Sequence, residues 1–104
     1  MTMRGKERAG LRAEAHHLRA TVHVGHHGVT ATLLQSLDET LEARELVKVQ
    51  VERNAPATVK ETATELADHV GAEIIQVIGR KTTLYRHNPK LKRQEGAPPP
   101  WHEG

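Results

Sequence analysis

The 104-residue sequence predicts one α/β domain of order α-β-α-β-α-β-β, built on a mixed four-stranded sheet. Three observations predict it. Apolar residues recur at helical spacing in three separate stretches. Short runs rich in Val, Ile and Leu lie between and after them. The order makes two β-α-β units followed by a hairpin; the first arrangement joins parallel strands and the second antiparallel ones. A chain of this length holds one small core.

The first helix spans Lys6–Leu18, where Leu11, Ala15 and Leu18 form one apolar stripe. Gly10 inside it costs up to about 1 kcal/mol relative to Ala. Thr21–Val24 is a short strand with Val22 and Val24 on one face and His23 on the other. After the loop Gly25-His26-His27-Gly28, Thr30 caps a second helix from Ala31 to about Ala43. Leu33, Leu34, Leu37 and Leu41 are its buried stripe, and Asp38, Glu39 and Glu42 its wet face. In Leu46–Val51, Val47, Val49 and Val51 alternate with Lys48 and Gln50, so one side is apolar and one polar. A loop, Arg53–Ala57, contains Pro56.

Thr58-Val59-Lys60-Glu61 is a capping box that opens the third helix, and Gly71 supplies its left-handed stop. Between them Val59, Ala63, Leu66, Ala67 and Val70 make the apolar stripe. Glu73–Ile78 is a strand, turned by Gly79 into a last one at about Thr82–Arg86. From His87 onward the chain carries Pro89, the run Pro98-Pro99-Pro100, charge and little apolar content. The domain therefore covers residues 3–88, and 89–104 read as a disordered, basic, Pro-rich tail. With one stripe per helix, the expected core is a single helix layer on one sheet face, with at least one sheet surface or edge in water.

Composition excludes several functions. Without cysteine there are no disulfides, no cysteine-ligated zinc and no thiol catalysis. Tyr85 and Trp101 are the only aromatic residues of the Phe, Trp and Tyr class, which argues against stacking several bases on an aromatic row. No apolar run approaches the length of a membrane span, and the N-terminus shows no secretory h-region, so a cytoplasmic protein is expected. Net charge is +2, but residues 1–30 carry +3, residues 31–79 carry −5 and residues 80–104 carry +4. If the fold gathers the two ends, they form a basic face suited to a polyanion; the plain alternative is solvated surface charge.

The loop Gly25-His26-His27-Gly28 is the most informative segment. Glycine lacks Cβ, so a phosphate can approach the main chain, and the loop opens onto a helix N-terminus whose free N–H groups favour an anion. Two glycines three apart also serve as a simple turn. His16, His17, His23, His26 and His27 fall close together in the chain. No Cys or carboxylate lies among the last three, and adjacent His26 and His27 converge poorly on one ion, so neither a metal nor another cofactor is expected. Imidazoles that meet phosphate bind it more tightly below about pH 6.5. Enzyme signals are absent. Ser36, the only serine, lies inside the second helix, and the pairs Glu42/Glu45 and Glu61/Glu65 have the spacing of a solvated helix surface.

Five segments follow one another at characteristic spacing: Leu11-Arg12-Ala13-Glu14-Ala15-His16-His17-Leu18; Val24-Gly25-His26-His27-Gly28-Val29-Thr30; Leu41-Glu42-Ala43-Arg44-Glu45-Leu46-Val47-Lys48-Val49; Gly71-Ala72-Glu73-Ile74-Ile75-Gln76-Val77-Ile78-Gly79-Arg80; and Leu84-Tyr85-Arg86. Over about residues 3–88 the chain resembles the bacterial stand-alone CRM domain, the YhbY type of RNA-binding protein. The resemblance implies a fold similar to the C-terminal domain of bacterial initiation factor three. It also implies binding of structured RNA, in bacteria a ribosomal precursor of the large subunit and in plant relatives group II introns.

The family's G-x-x-G loop corresponds to Gly25, His26, His27 and Gly28, and its basic first helix to Arg4, Lys6, Arg8, Arg12 and His16. Many members carry Lys or Arg inside the loop where this chain has histidines, which lowers its fixed charge at neutral pH. The expectation is a non-catalytic protein whose partner is RNA. The loop, with Thr30 at the following helix, holds phosphate. Arg8, Arg12, His16, Arg19, Lys48, Arg80, Lys81 and Arg86 add basic contacts. The second reading is an adaptor that docks an acidic protein.

Overall fold

The computed structural model describes residues 5–90 of the chain. Two helices start where a threonine hydroxyl replaces a missing backbone partner. In α2 (Ala31–Arg44) the Thr30 hydroxyl accepts the Leu33 N–H at 3.1 Å. In α3 (Val59–Val70) the Thr58 hydroxyl accepts the Glu61 N–H at 3.1 Å, while Glu61 Oε1 accepts the Thr58 N–H at 3.0 Å, so the capping box is complete. Gly71, at φ 66° and ψ 39°, ends α3 in the left-handed conformation.

The strands are β1 (Ala20–Val24), β2 (Leu46–Val51), β3 (Glu73–Ile78) and β4 (Lys81–Tyr85). They lie in the order β1-β2-β4-β3, with β1 parallel to β2 and β4 antiparallel to both of its neighbours. The final hairpin therefore inserts β4 between β2 and β3. As a result β1, β2 and β3 all end at the same edge of the molecule.

The sheet has two unequal faces. On the first, Val22, Val24, Val47, Val49, Val51 and Leu84 pack with Leu37 and Leu41 of α2 and Leu66 and Ala67 of α3. Each fully buried Val or Leu contributes roughly 1.5–3 kcal/mol. The second face carries a smaller cluster under α1 (Gly5–Ala15): Leu11 and Ala15 meet Leu46, Ile75 and Tyr85, with Leu18 packed at the margin. This corrects the expectation of a single helix layer. Leu46, Ile75 and Tyr85 place one apolar patch on the otherwise polar face, and α1 covers it.

Other boundaries shift for local reasons. The first helix stops at Ala15 rather than Leu18, because the next turn closes by tighter bonds from the N–H groups of His16, His17 and Leu18 to the carbonyls of Ala13, Glu14 and Ala15. The last strand begins at Lys81, opposite Gln50 and Ile78, and ends at Tyr85. After the last strand the chain continues through His87 and Asn88 as a fastened strap. Asn88 is buried, and its N–H donates to Glu45 Oε2 at 2.6 Å. Arg4 and residues 91–104 of the expected tail lie outside the described residues. Among the described residues no helix is long and apolar enough to cross a membrane.

Candidate functional site

The shared strand direction concentrates loops at one end of the sheet. There β1 runs into Gly25–Gly28, β2 into Glu52–Ala57, and β3 turns through Gly79-Arg80 into β4. Two backbone bonds tie these loops together: Glu52 N–H to the Val24 carbonyl and Val51 N–H to the Arg80 carbonyl, both 2.8 Å. Because α2 follows the first loop and α3 the second, both helices point their N-termini, the positive ends of their dipoles, toward this end.

The Gly25–Gly28 loop is a tight turn closed by the Gly28 N–H on the Gly25 carbonyl at 2.9 Å. Its two glycines differ. Gly28 has φ 69°, so backbone conformation favours glycine, and a Cβ there would stand 3.0 Å from Cγ of Pro56, which would have to give way. Gly25 has no such constraint: a Cβ there meets nothing within 4 Å. Structure alone does not require a glycine at Gly25, whose surroundings are open. His26 and His27 are both exposed, with ring centroids 3.9 Å apart.

Beside the loop stands Glu52. Its Oε1 lies 3.2 Å from His23 Nδ1 and accepts from Gln50 Nε2 at 3.5 Å, and its carbonyl accepts from Arg80 Nη1 at 3.3 Å. That last bond holds an exposed guanidinium next to the loop, with exposed Lys81 following it. Sequence reading did not single out Glu52. Its position directly after the alternating second strand was the available signal.

The thirteen expected site residues separate into groups. Gly25, His26, His27, Gly28, Thr30, Arg80 and Lys81 come together at the loop end. Thr30 acts there through its cap, which fixes the start of α2. Lys48 lies half-buried in mid-strand on the second face, opposite Ala20 and Thr83. Arg12 is on α1 and exposed His16 directly after it, so both belong to the layer over the second face. Arg19 precedes β1 and lies at the opposite end of the sheet.

Two arginines are engaged elsewhere. Arg8 donates to the Ile74 carbonyl at 2.7 Å and to Glu73 Oε2 at 2.9 Å, fastening α1 to β3. Arg86 donates to Asp38 Oδ1 at 2.7 Å, the Val70 carbonyl at 2.9 Å and the Asp38 carbonyl at 3.0 Å, with Glu42 Oε2 at 3.4 Å. It thereby places a cation at the C-terminus of α3 and joins that helix to α2. The cations of the two chain ends are therefore divided between positions open to solvent and positions held by groups of the fold, rather than gathered on one patch.

Charge also divides by face. The outer surfaces of α2 and α3 expose Asp38, Glu39, Glu42, Glu61, Glu65 and Asp68 against the cations Arg44 and Lys60, a net acidic balance, whereas Lys48 and Lys81 lie on the second sheet face. Among the described residues no group of three or more His, Asp or Glu is arranged to hold a metal ion. The fold and this end of it define a small α/β binding module, with a glycine-opened turn, two helix N-termini and nearby cations on one edge. The chain belongs to the CRS1/YhbY (CRM) domain family, whose model matches residues 3–86.

The chain is 35% identical over 91 residues to "Probable RNA-binding protein YqeI" of Bacillus subtilis, covering 88% of this chain and 95% of that one. It is 30% identical over 93 residues to a Haemophilus influenzae protein named "RNA-binding protein", covering 89% and 94%. Neither name is that of an enzyme. The solution structure of a hypothetical protein from Staphylococcus aureus superposes with a TM-score of 0.75 at 33% identity, covering 94% of this chain and 100% of that one. The single α/β domain with a mixed four-stranded sheet is thus the family fold.

Proposed function

We propose that the protein binds structured RNA, a large-subunit ribosomal RNA precursor in particular, with the Gly25–Gly28 loop as its phosphate clamp. Family membership and the names of its relatives support RNA as the partner. The precursor rests on the resemblance of the sequence to ribosome-assembly members of that family. One observation carries the loop assignment: Gly25 is a glycine that neither packing nor backbone conformation demands, at a turn that opens on a helix N-terminus at the same end of the sheet as Arg80. A phosphate seated there meets main-chain N–H groups without a side chain in the way.

The mechanism is electrostatic. Lys48, Arg80, Lys81 and the loop neutralise phosphates and release counterions, so affinity falls steeply with salt, by a log–log slope of about 0.7–0.9 per phosphate. Fluorescence anisotropy on a ribosomal RNA fragment, titrated from low to physiological salt, measures it. Affinity indifferent to salt contradicts the mechanism. Cross-linking in cells followed by sequencing of the attached RNA tests the precursor.

A further inference from the structure

We infer that the half of the second sheet face left open by the described residues is a platform for an unpaired nucleotide, with Ile78 as the apolar surface on which its base rests. The inference builds on the RNA-binding reading and adds to it the kind of RNA element recognised.

The strand register sorts the second face into rows. Nearest one end, Leu46 and Tyr85 lie side by side beneath α1. The next row sets Lys48, Thr83 and Gln76 across β2, β4 and β3. The last row crosses all four strands as His23, Gln50, Lys81 and Ile78. That row adjoins the phosphate loop directly, since His23 precedes Gly25 by two positions and contacts Glu52.

Ile78 is the anomaly in this row. It is 61% exposed, and with Val77 at 40% it is one of the two large apolar residues left exposed among the described residues. A single exposed aliphatic residue is ordinary. This one shares its row with Lys81 and Gln50, on the face that carries Lys48 rather than the acidic helices. An acidic or apolar protein surface would match only part of that combination. A nucleotide matches all of it, with phosphate for the lysines, a base edge for the oxygen of the Gln50 amide, whose Nε2 is turned toward Glu52, and an apolar base face for Ile78. In an A-form duplex the base faces are stacked inside and the major groove is too narrow for side chains, so only an unpaired base presents such a face.

The test compares two RNAs of equal nucleotide number, a hairpin with an unpaired loop and a blunt duplex, by anisotropy at one fixed salt concentration. The full-length chain is expected to prefer the hairpin by about tenfold. Ile78→Ser, at an exposed position with the fold checked by circular dichroism, is expected to cut that preference to about twofold or less while duplex affinity stays unchanged. Ile78→Leu, which restores an aliphatic side chain, is expected to keep it. Equal affinity of the wild type for both RNAs overturns the platform while leaving the phosphate clamp in place. A preference that survives Ile78→Ser also overturns it, and leaves the exposed tip to a protein partner. Absence of binding to either RNA defeats the underlying RNA reading itself.

Discussion

Gly25 and Gly28 look equivalent in the sequence and are not equivalent in the structure. Gly25→Val places its side chain in open space, so the variant is expected to keep its melting temperature and lose about tenfold in RNA affinity, the value of one charge-assisted phosphate contact. Gly28→Val forces a β-branched residue to φ 69° against Pro56 and is expected to lower stability, whatever RNA does. Parallel melting and binding curves on the two variants therefore separate a clamp from a turn. Lys81→Ala, exposed and without a structural partner named above, is expected to reduce the salt slope by about one phosphate contact and leave melting unchanged. The same logic reverses for Arg86. Its guanidinium joins the middle of α2 to the C-terminal end of α3, so Arg86→Ala is expected to cost about 2 kcal/mol in chemical denaturation with the salt slope unaltered.

The helix with the clearest sequence signal also has the clearest energetic signature. Thr58→Ala removes the acceptor for the Glu61 N–H and is expected to destabilise the domain by about 1 kcal/mol. The Glu61 carboxyl is held below its ordinary value, first by the Thr58 backbone N–H and then by the Thr58 side chain. A depressed acid stabilises the fold fully above its unfolded value and loses that contribution as pH falls through the folded one. Glu61→Gln is therefore expected to flatten part of the stability loss below about pH 4.5, read from urea midpoints across that range. The whole of α3 was legible because cap, stripe and stop are local. The end of the first helix was not: Leu18 continues the apolar stripe, and only the tight turn after Ala15 shows that it packs from outside the helix.

At the scale of the molecule, the order of elements was legible and the placement of layers was not. Nothing in Leu11 or Ala15 says which sheet face they cover; that depends on Leu46, Ile75 and Tyr85 meeting on one side, a consequence of strand register. The candidate site shows the same division. The glycine loop announces itself within four residues, whereas Arg8 and Arg86 look like free cations until Glu73 and Asp38, distant in sequence, are seen beside them. Glu45 is the plainest case. Its helical spacing from Glu42 suggests a wet surface, yet it is 1% exposed, holds φ 65° and accepts hydrogen bonds from strap residues more than forty positions away.

That strap has a consequence for where the cooperative unit stops. The sheet is complete at Tyr85, but a polypeptide shortened to that point loses the Asn88 N–H and the His87 ring that lie on the buried Glu45 carboxyl, and a buried polar group that gives up hydrogen bonds costs stability. A version of the domain that runs past its last strand to Asn88 is therefore expected to melt higher than one cut at Tyr85, and a designer trimming it by secondary structure alone would cut away a keystone.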